Sequence, residues 1–429
     1  MSSQEKKYFP ITQGIACQLK WTWSTIWLYS GETASCHRAS YSKLTPENFD
    51  NFHNTPEKLN ARKSMLDGQW PAGGCEYCQK IEAVGGSSDR IFQKTIPDLS
   101  PPELETDPTA IQVTPKILEV YLNNTCNFGC IYCYGVHSSR LNHENKKFED
   151  FIEKKDYKTR FSNLQIIEEN SDKDLLTEKF ITWLEKNSQT LKRLQILGGE
   201  PFYQKEFGQI LDFLSAHSNP NLELGIVTNL GISQDKLISH IEKIKLLVSQ
   251  KKIRRLDIIC SIDCWGPEQE YIRYGLDLSS WESNFNYLLE QKWIVLSINQ
   301  TINALAIKTI PDLLKKLKIW KLKRSVGHYF TELAPGPSYL KPDIFGPNFF
   351  AEDFKNILAL LDDNTNQEKE TKKYMSGICS KILSDKENIQ EIKDLIIYLD
   401  EIDRRRNTNW KTTFPWLERY QDVVFKSSS

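Results

Sequence analysis

The sequence predicts an α/β protein: a partial (β/α)6 TIM-like barrel, preceded by a cysteine-rich module and followed by a charged helical region. Three observations predict it. Six short apolar runs alternate with helical stretches between residues 116 and 333. Four cysteines, Cys17, Cys36, Cys75 and Cys78, precede the first of those runs, and prolines separate the two parts. After Pro347 the pattern turns helical and heavily charged. At 429 residues the chain exceeds what one core usually serves. It divides into a cysteine-rich module (1–93), a linker (94–115), the barrel (116–340) and a C-terminal helical region (341–429).

The first barrel strand is read over Lys116–Asn124, so the cysteines that follow it lie on a loop at its carboxyl end. In α/β barrels chemistry is done at that end. Cys126, Cys130 and Cys133 form a Cys-x3-Cys-x2-Cys run. Thiolates at this density either hold a metal or pair as disulfides, and three is an odd number for pairing. Three ligands would leave one iron of an iron–sulfur cluster open to a group that is not protein. A zinc site is the other reading, since zinc takes a fourth Cys or His and His137 stands four residues on. Further strands are expected over Leu194–Leu197, Leu222–Asn229, Asp257–Asp263, Trp293–Ile302 and Val326–Leu333, with helices around 204–216, 233–251, 281–291 and 310–320.

With Tyr132 in the aromatic place, the cysteine run resembles the signature of the radical S-adenosylmethionine (SAM) superfamily, Cys-x3-Cys-x-aromatic-Cys. Downstream elements of that family recur in order: Gly198-Gly-Glu-Pro201, the strand ending at Asn229, Ser261 and Asp263 on the fourth strand, and Tyr271-Ile-Arg273. The resemblance implies a 4Fe-4S cluster on Cys126, Cys130 and Cys133, whose open iron chelates SAM. It implies reductive cleavage of SAM to a 5′-deoxyadenosyl radical that abstracts hydrogen from substrate. It also implies SAM contacts at Tyr132, Gly198, Gly199, Glu200, Asn229, Ser261, Asp263 and Arg273. The chemistry of these residues is apt: glycines let backbone pass close to a ligand, a carboxylate accepts from an ammonium, and guanidinium captures carboxylate.

Cys17, then thirteen residues, Gly31, four residues and Cys36, followed by Cys75-Glu-Tyr-Cys78, resembles the twitch/SPASM pattern of radical SAM maturases. That resemblance implies one auxiliary 4Fe-4S cluster on Cys17, Cys36, Cys75 and Cys78, here placed ahead of the barrel rather than after it. Four protein ligands would make it an electron relay or a scaffold; were Cys17 not a ligand, a free iron could bind substrate. A structural zinc ribbon is the alternative.

The charge is balanced, with 55 basic and 56 acidic residues, so no general attraction to nucleic acid or anionic membrane is written into it. No signal peptide or membrane-length apolar run is read, and ten cysteines without an export signal suggest metal binding in a reducing cytoplasm. Pro97, Pro101, Pro102, Pro108 and Pro115 mark the linker, and lysines at 146, 147, 154, 155 and 158 mark a polar insertion after the first strand. Cys264 stands directly after Asp263. It is read either as a hydrogen-atom donor to a substrate radical or as a small buried filler; Cys260 is read as filler and Cys379 stays unassigned.

Auxiliary-cluster relatives mostly modify ribosomally made peptides. The resemblance therefore implies a precursor peptide as substrate, processed by tyramine excision of the splicease type, cross-linking or epimerisation. A separate leader-binding protein and a reducing electron-transfer protein are the expected partners. Two rival readings remain open at this level: a radical SAM enzyme on a small biosynthetic molecule, and a non-catalytic zinc-binding scaffold.

Overall fold

The computed structural model describes residues 15–83, 88–92, 110–333, 336–382 and 386–421. The chain start, most of the proline-rich linker (94–109) and residues 422–429 lie outside the described residues. The described strands are, in chain order, β1 (Trp23–Trp27), β2 (Glu32–Ala34), β3 (Ser42–Lys43), β4 (Ile117–Tyr121), β5 (Gly129–Cys130), β6 (Arg193–Leu197), β7 (Glu223–Thr228), β8 (Arg255–Ser261), β9 (Arg273–Tyr274), β10 (Val295–Ile302) and β11 (Gly327–Glu332). Two compact units are formed. One comprises Met1–Asn123, Glu169–Ile226 and Glu242–Leu256; the other comprises Asn124–Glu168, Val227–Ile241 and Asp257–Ser429.

In the first unit the strands run in the order β7-β6-β4-β1-β2-β3. Strands β7, β6, β4 and β1 are parallel, with Ile117 opposite Arg193 on one side and Trp23 on the other. Leu118, Val120, Leu194, Ile196, Leu224 and Ile226 are fully buried, the near-continuous apolar run of parallel strands covered on their faces. Helices Lys173–Asn187 and Lys205–Ala216 fill the crossovers. The second buries Phe207, Ile210, Leu211 and Leu214, a stripe at helical spacing.

The sequence did not foretell β1. It leads the antiparallel β1–β2 hairpin between Cys17 and Cys36, and its other edge pairs in parallel register with β4. The cysteine-rich segment is thereby joined to the parallel strands by backbone hydrogen bonds. Gly31 forms the turn, donating to Trp27 O at 2.9 Å and accepting from Leu44 N at 2.8 Å.

In the second unit β8, β10 and β11 are parallel, with Val295 opposite Asp257 and Ser297 opposite Gly327. Helices Leu278–Glu290 and Ile310–Lys323 follow β9 and β10. The lysine-rich insertion folds into helices Ser139–Lys147 and Tyr157–Arg160, and Arg160 pairs with Asp394 of the C-terminal region. That region is helical as expected, over Ala351–Leu360, Asn366–Ile382 and Ile389–Arg406. The last of these is well specified at both ends. Asn388 caps it by accepting from Glu391 N, Arg404, Arg405 and Arg406 oppose the carboxyl end of its dipole, and Asn407 stops it at φ 54°. Among the described residues no helix is long and apolar enough to cross a membrane.

The loop before Cys75 packs backbone to backbone against the segment after Cys36. Ser40 N donates to Gly73 O at 2.9 Å, and a Cβ on Gly74, at φ +103°, would stand 1.7 Å from Arg38 O. Gly68 also has positive φ, +74°, but open space around it. Gly68→Ala is therefore expected to cost about 1 kcal/mol of conformational strain, and Gly74→Ala more than about 3 kcal/mol because the chain must also part. Urea unfolding of the two variants checks this ordering; equal losses would contradict it.

Candidate active site

Cys126, Cys130 and Cys133 lie half-buried on the loop that follows β4. The loop is held by backbone first. β5 pairs with β9, placing Cys130 opposite Arg273 and Gly129 opposite Tyr274, and Ile131 N donates to Ile272 O at 2.9 Å. Cys133 N returns to Cys130 O at 3.0 Å, closing a turn that brings the two cysteines to the same bend. Side chains then fix the ends. Ser139 Oγ accepts from Cys126 N at 3.2 Å, Asn229 Nδ2 reaches Cys126 Sγ at 3.8 Å and Asn127 Oδ1 at 2.9 Å, and Tyr398 donates to Ile131 O at 2.5 Å. Asn229, expected at a cofactor, thus braces the cysteine loop itself.

Burial pushes the Cys130 thiol up, and Cys133 further, because Cys130 and Cys126 add like charge to the same pocket. Burial and mutual repulsion of this kind disfavour the thiolates of Cys130 and Cys133 unless a cation neutralises them. The donor set therefore suits a metal group carrying positive charge of its own, which is the fit an iron–sulfur cluster requires. Among the described residues, no three His, Cys, Asp or Glu side chains converge in a way that would hold a single metal ion.

Beside the loop lies Asp263, fully buried, with four hydrogen bonds on its carboxylate. Oδ1 accepts from Arg273 Nη2 at 2.8 Å and Thr301 N at 3.0 Å; Oδ2 accepts from Arg273 Nε at 2.8 Å and Tyr132 Oη at 2.8 Å. Burial works against the Arg273 charge, and the Asp263 carboxylate more than offsets it, so the guanidinium is held well above its usual range. Burial likewise pushes the Tyr132 phenol up. Three of the expected SAM contacts thus bond to one another. The fork of Arg273 is filled by Asp263, and Tyr132 donates to the same carboxylate, so Tyr132, Asp263 and Arg273 form a clamp around the cysteine loop. The Nε/Nη2 edge of the guanidinium is thereby engaged by Asp263.

Sequence reasoning missed the residues that support the clamp. Gln300 Nε2 donates to Asp263 O at 2.7 Å, and Gln269 Oε1 accepts from Asp263 N at 3.0 Å and Cys264 N at 2.9 Å. His328 in turn bonds Gln300, and burial pulls this imidazole down to about 3, so it is neutral. Polar residues inside the apolar strands β10 and β11 were the available signal. Ser261 ends β8, opposite Asn299. Cys260 and Cys264 are fully buried, and the Cys264 thiol stands 3.6 Å from Gln269 Oε1. That is a packing position, in keeping with the reading of Cys264 as a small buried filler. Cys379, also buried, lies in helix Asn366–Ile382.

In the first unit, Gly198 and Gly199 follow β6 with φ +89° and +53°. A Cβ on Gly198 would stand 2.7 Å from Tyr121 Cδ1, so this turn needs glycine for a close approach. Gln204 Nε2 fixes the turn through Gly198 O at 2.7 Å and Asn123 O at 2.9 Å. Glu200 is fully buried and accepts from Phe202 N at 3.3 Å. Next to this turn is a group the sequence did not reveal: Glu119 Oε2 accepts from Thr25 Oγ1 at 2.9 Å and meets His37 Nε2 at 2.7 Å, while Trp27 stacks on Tyr121 at 5.2 Å.

The four N-terminal cysteines gather in the first unit as well. Cys17 and Cys75 belong to one packed cluster with Trp21 and Met65, and the Gly73-Gly74 contact joins the Cys75 segment to the Cys36 segment. Burial and then Cys36 push the Cys17 thiol up to about 12. Burial raises Cys75 too, with Cys36 and Cys78 adding to it and Lys20, hydrogen-bonded to it, opposing. Two buried thiols, Cys17 and Cys75, with half-buried Cys36 and Cys78 beside them, again fit a group that brings its own positive charge.

No protein-family model matches this chain, and no curated protein matches it. Among solved structures, SuiB of Streptococcus suis bound to S-adenosylmethionine is similar at 14% identity and a TM-score of 0.35, over 73% of this chain and 63% of that one. SuiB bound to the precursor peptide SuiA gives 11% identity and 0.33, over 91% and 72%. The coproporphyrinogen III oxidase HemN of Escherichia coli, a radical SAM enzyme, gives 14% and 0.31, over 62% and 52%. This chain spans less than two thirds of SAM-bound SuiB and about half of HemN. The likeness is remote, and the functional reading rests on the chain's own residues.

Asp263→Asn would leave the Arg273 guanidinium buried without a counter-charge, and breaking such a pair costs about 3–5 kcal/mol. Urea unfolding is expected to show a loss of that size, with Asp263→Glu losing less. An unchanged midpoint in Asp263→Asn would show that the clamp does not hold the loop.

Proposed function

We propose that this chain is a radical SAM enzyme of partial-barrel architecture with an auxiliary iron–sulfur cluster, acting on a ribosomally made peptide. The observation that carries the reading is the loop of Cys126, Cys130 and Cys133. It presents three neighbouring thiols at the end of a parallel strand, in a sequence whose later motifs keep the radical SAM order. A cluster held by these three thiolates, with SAM on its open iron, would supply a 5′-deoxyadenosyl radical that removes hydrogen from substrate.

The protein's own share is binding and orientation. Cys126, Cys130 and Cys133 hold the cluster. Asp263, Arg273 and Tyr132 keep their loop in one conformation, and Asn229 steadies its first cysteine. The glycine backbone at 198–199 and the Glu200 carboxylate receive the methionyl amine, and Ser261 contributes a hydroxyl to the nucleoside. Cys17, Cys36, Cys75 and Cys78 hold the auxiliary cluster. Cys264 is buried against Gln269, and the outcome on the peptide is tyramine excision, cross-linking or epimerisation. The spacing of the auxiliary cysteines supports a peptide substrate, through its likeness to maturases.

The test is anaerobic purification with iron and sulfide analysis, then assay of 5′-deoxyadenosine after adding dithionite and SAM. Wild type is expected to carry about eight irons and to cleave SAM; Cys126→Ala/Cys130→Ala/Cys133→Ala is expected to keep about four and to lose cleavage. Zinc in place of iron in the wild type would overturn the reading.

A further inference from the structure

The corner that gathers the four N-terminal cysteines contains two buried basic side chains, Lys58 and Arg62, whose hydrogen bonds among the described residues all go to neutral oxygens. Helix Pro56–Leu66, capped by Thr55 and started by Pro56, sends Lys58, Arg62 and Met65 inward. Met65 packs directly in the cluster with Cys17, Trp21 and Cys75. Arg62, one turn earlier, is fully buried. Its Nε donates to Lys20 O at 2.7 Å, Nη1 to Asn54 Oδ1 and Ile111 O at 2.8 Å each, and Nη2 to His53 O at 2.7 Å. Every one of these acceptors is neutral.

Lys58 repeats the pattern. It is buried, and its ammonium donates to Ser24 Oγ at 2.9 Å, Thr33 Oγ1 at 2.7 Å and Phe52 O at 2.8 Å. Those three bonds use all three donors of an ammonium on neutral oxygens. Thr33 is on β2, the strand that leads into Cys36, and Arg62 holds the carbonyl of Lys20 in the helix that Cys17 caps. Both cations therefore brace the segments that carry the cysteines. His53, buried between them, adds no charge: burial, with Arg62 and Lys58 nearby, pulls it well below the usual imidazole range.

Burying cations without an anion is costly. Burial, with Arg62 and Lys20 beside it, pulls Lys58 well below the usual ammonium range, and negative charge at Cys36 and then Glu57 pulls it back, so the ammonium form is favoured by an anion at the cysteines. Arg62, lowered by burial to about 10, still carries its charge at neutral pH. The thiols are the natural counterpart. Four thiolates around an iron–sulfur core make a net anion that becomes more negative on reduction, and fixed charge nearby sets its potential.

We propose that Arg62 and Lys58 are the buried counter-charges of the auxiliary cluster and raise its reduction potential. They act as positioning residues and touch neither cluster nor substrate. The proposal rests on the auxiliary-cluster reading above and deepens it: the cluster is poised to receive an electron, as an enzyme that oxidises its substrate needs.

The test uses the Cys126→Ala/Cys130→Ala/Cys133→Ala protein, which keeps the auxiliary cysteines alone. Arg62→Gln and Lys58→Gln, which remove charge but keep amide donors, are compared with Arg62→Lys by redox titration followed by electron paramagnetic resonance, with iron content and circular dichroism alongside. The midpoint potential is expected to move to more negative values in either glutamine variant and to stay near the parent in Arg62→Lys. If one glutamine variant does not fold, the other reads the same charge. Iron retained with an unmoved potential in a folded glutamine variant overturns this proposal and leaves the cluster standing. A parent that binds no iron overturns the auxiliary cluster, and the proposal with it.

Discussion

The cysteine loop depends on one buried carboxylate. Asp263 has room for about four hydrogen bonds on its two oxygens, and all four are made, by Arg273 twice, by Tyr132 and by the backbone of Thr301. Those partners come from three places: β9, the cysteine loop and β10. Asp263 itself stands just past β8. One side chain thus fixes the loop to the ends of two parallel strands and to the short ribbon that Cys130 forms with Arg273. Because its own N–H and C=O are taken by Gln269 and Gln300, Asp263 cannot swing out without breaking the backbone contacts too. A loop of nine residues carrying three thiols would otherwise be free to sample many shapes.

Buried charge is handled in two different ways in this chain. Around Cys130 it is paired internally, with Asp263 matched to Arg273, and the two act on the thiol in opposite directions. Around Cys17 and Cys75 the cations Lys58 and Arg62 bond only to neutral oxygens. A carboxylate placed against Arg62 would have been the simpler way to stabilise the apo fold. Among the described residues the fully buried guanidinium bonds to neutral oxygens alone, which is intelligible if the anion arrives with the bound group. The two cysteine groups thus differ in charge as well as in number of thiols.

What could be read in the sequence was whatever depends on short-range pattern. The six alternating strands were legible because parallel strands are apolar runs of fixed length, and each observed strand falls within or beside the expected run. The Cys126, Cys130 and Cys133 spacing and the Gly198-Gly199 turn were legible because each is a few contiguous residues. Arg273 was legible as a functional arginine but not as the partner of Asp263, since the helix Pro267–Ile272 between them must fold before they meet. The pairing of β1 with β4, and with it the Glu119, His37 and Thr25 group, depends on register between distant segments. No local pattern in Trp23–Trp27 announces a parallel partner.

The same distinction explains why cysteine spacing proved informative beyond its length. Isolated thiols are small fillers, and Cys260 and Cys264 are both fully buried. The seven proposed ligands differ in what surrounds them. Cys130 and Cys133 are crowded by each other and Cys126, and Cys17 and Cys75 by Cys36, in pockets where burial alone already raises the thiol. Crowding thiols in low dielectric gains nothing for an apo protein, because each ionisation makes the next harder. It becomes favourable when a cationic group binds them all at once, and the binding energy then stabilises the loops that carry them. The carboxylate clamp at Asp263 and the backbone contact at Gly74 hold the two cysteine segments in place in the meantime.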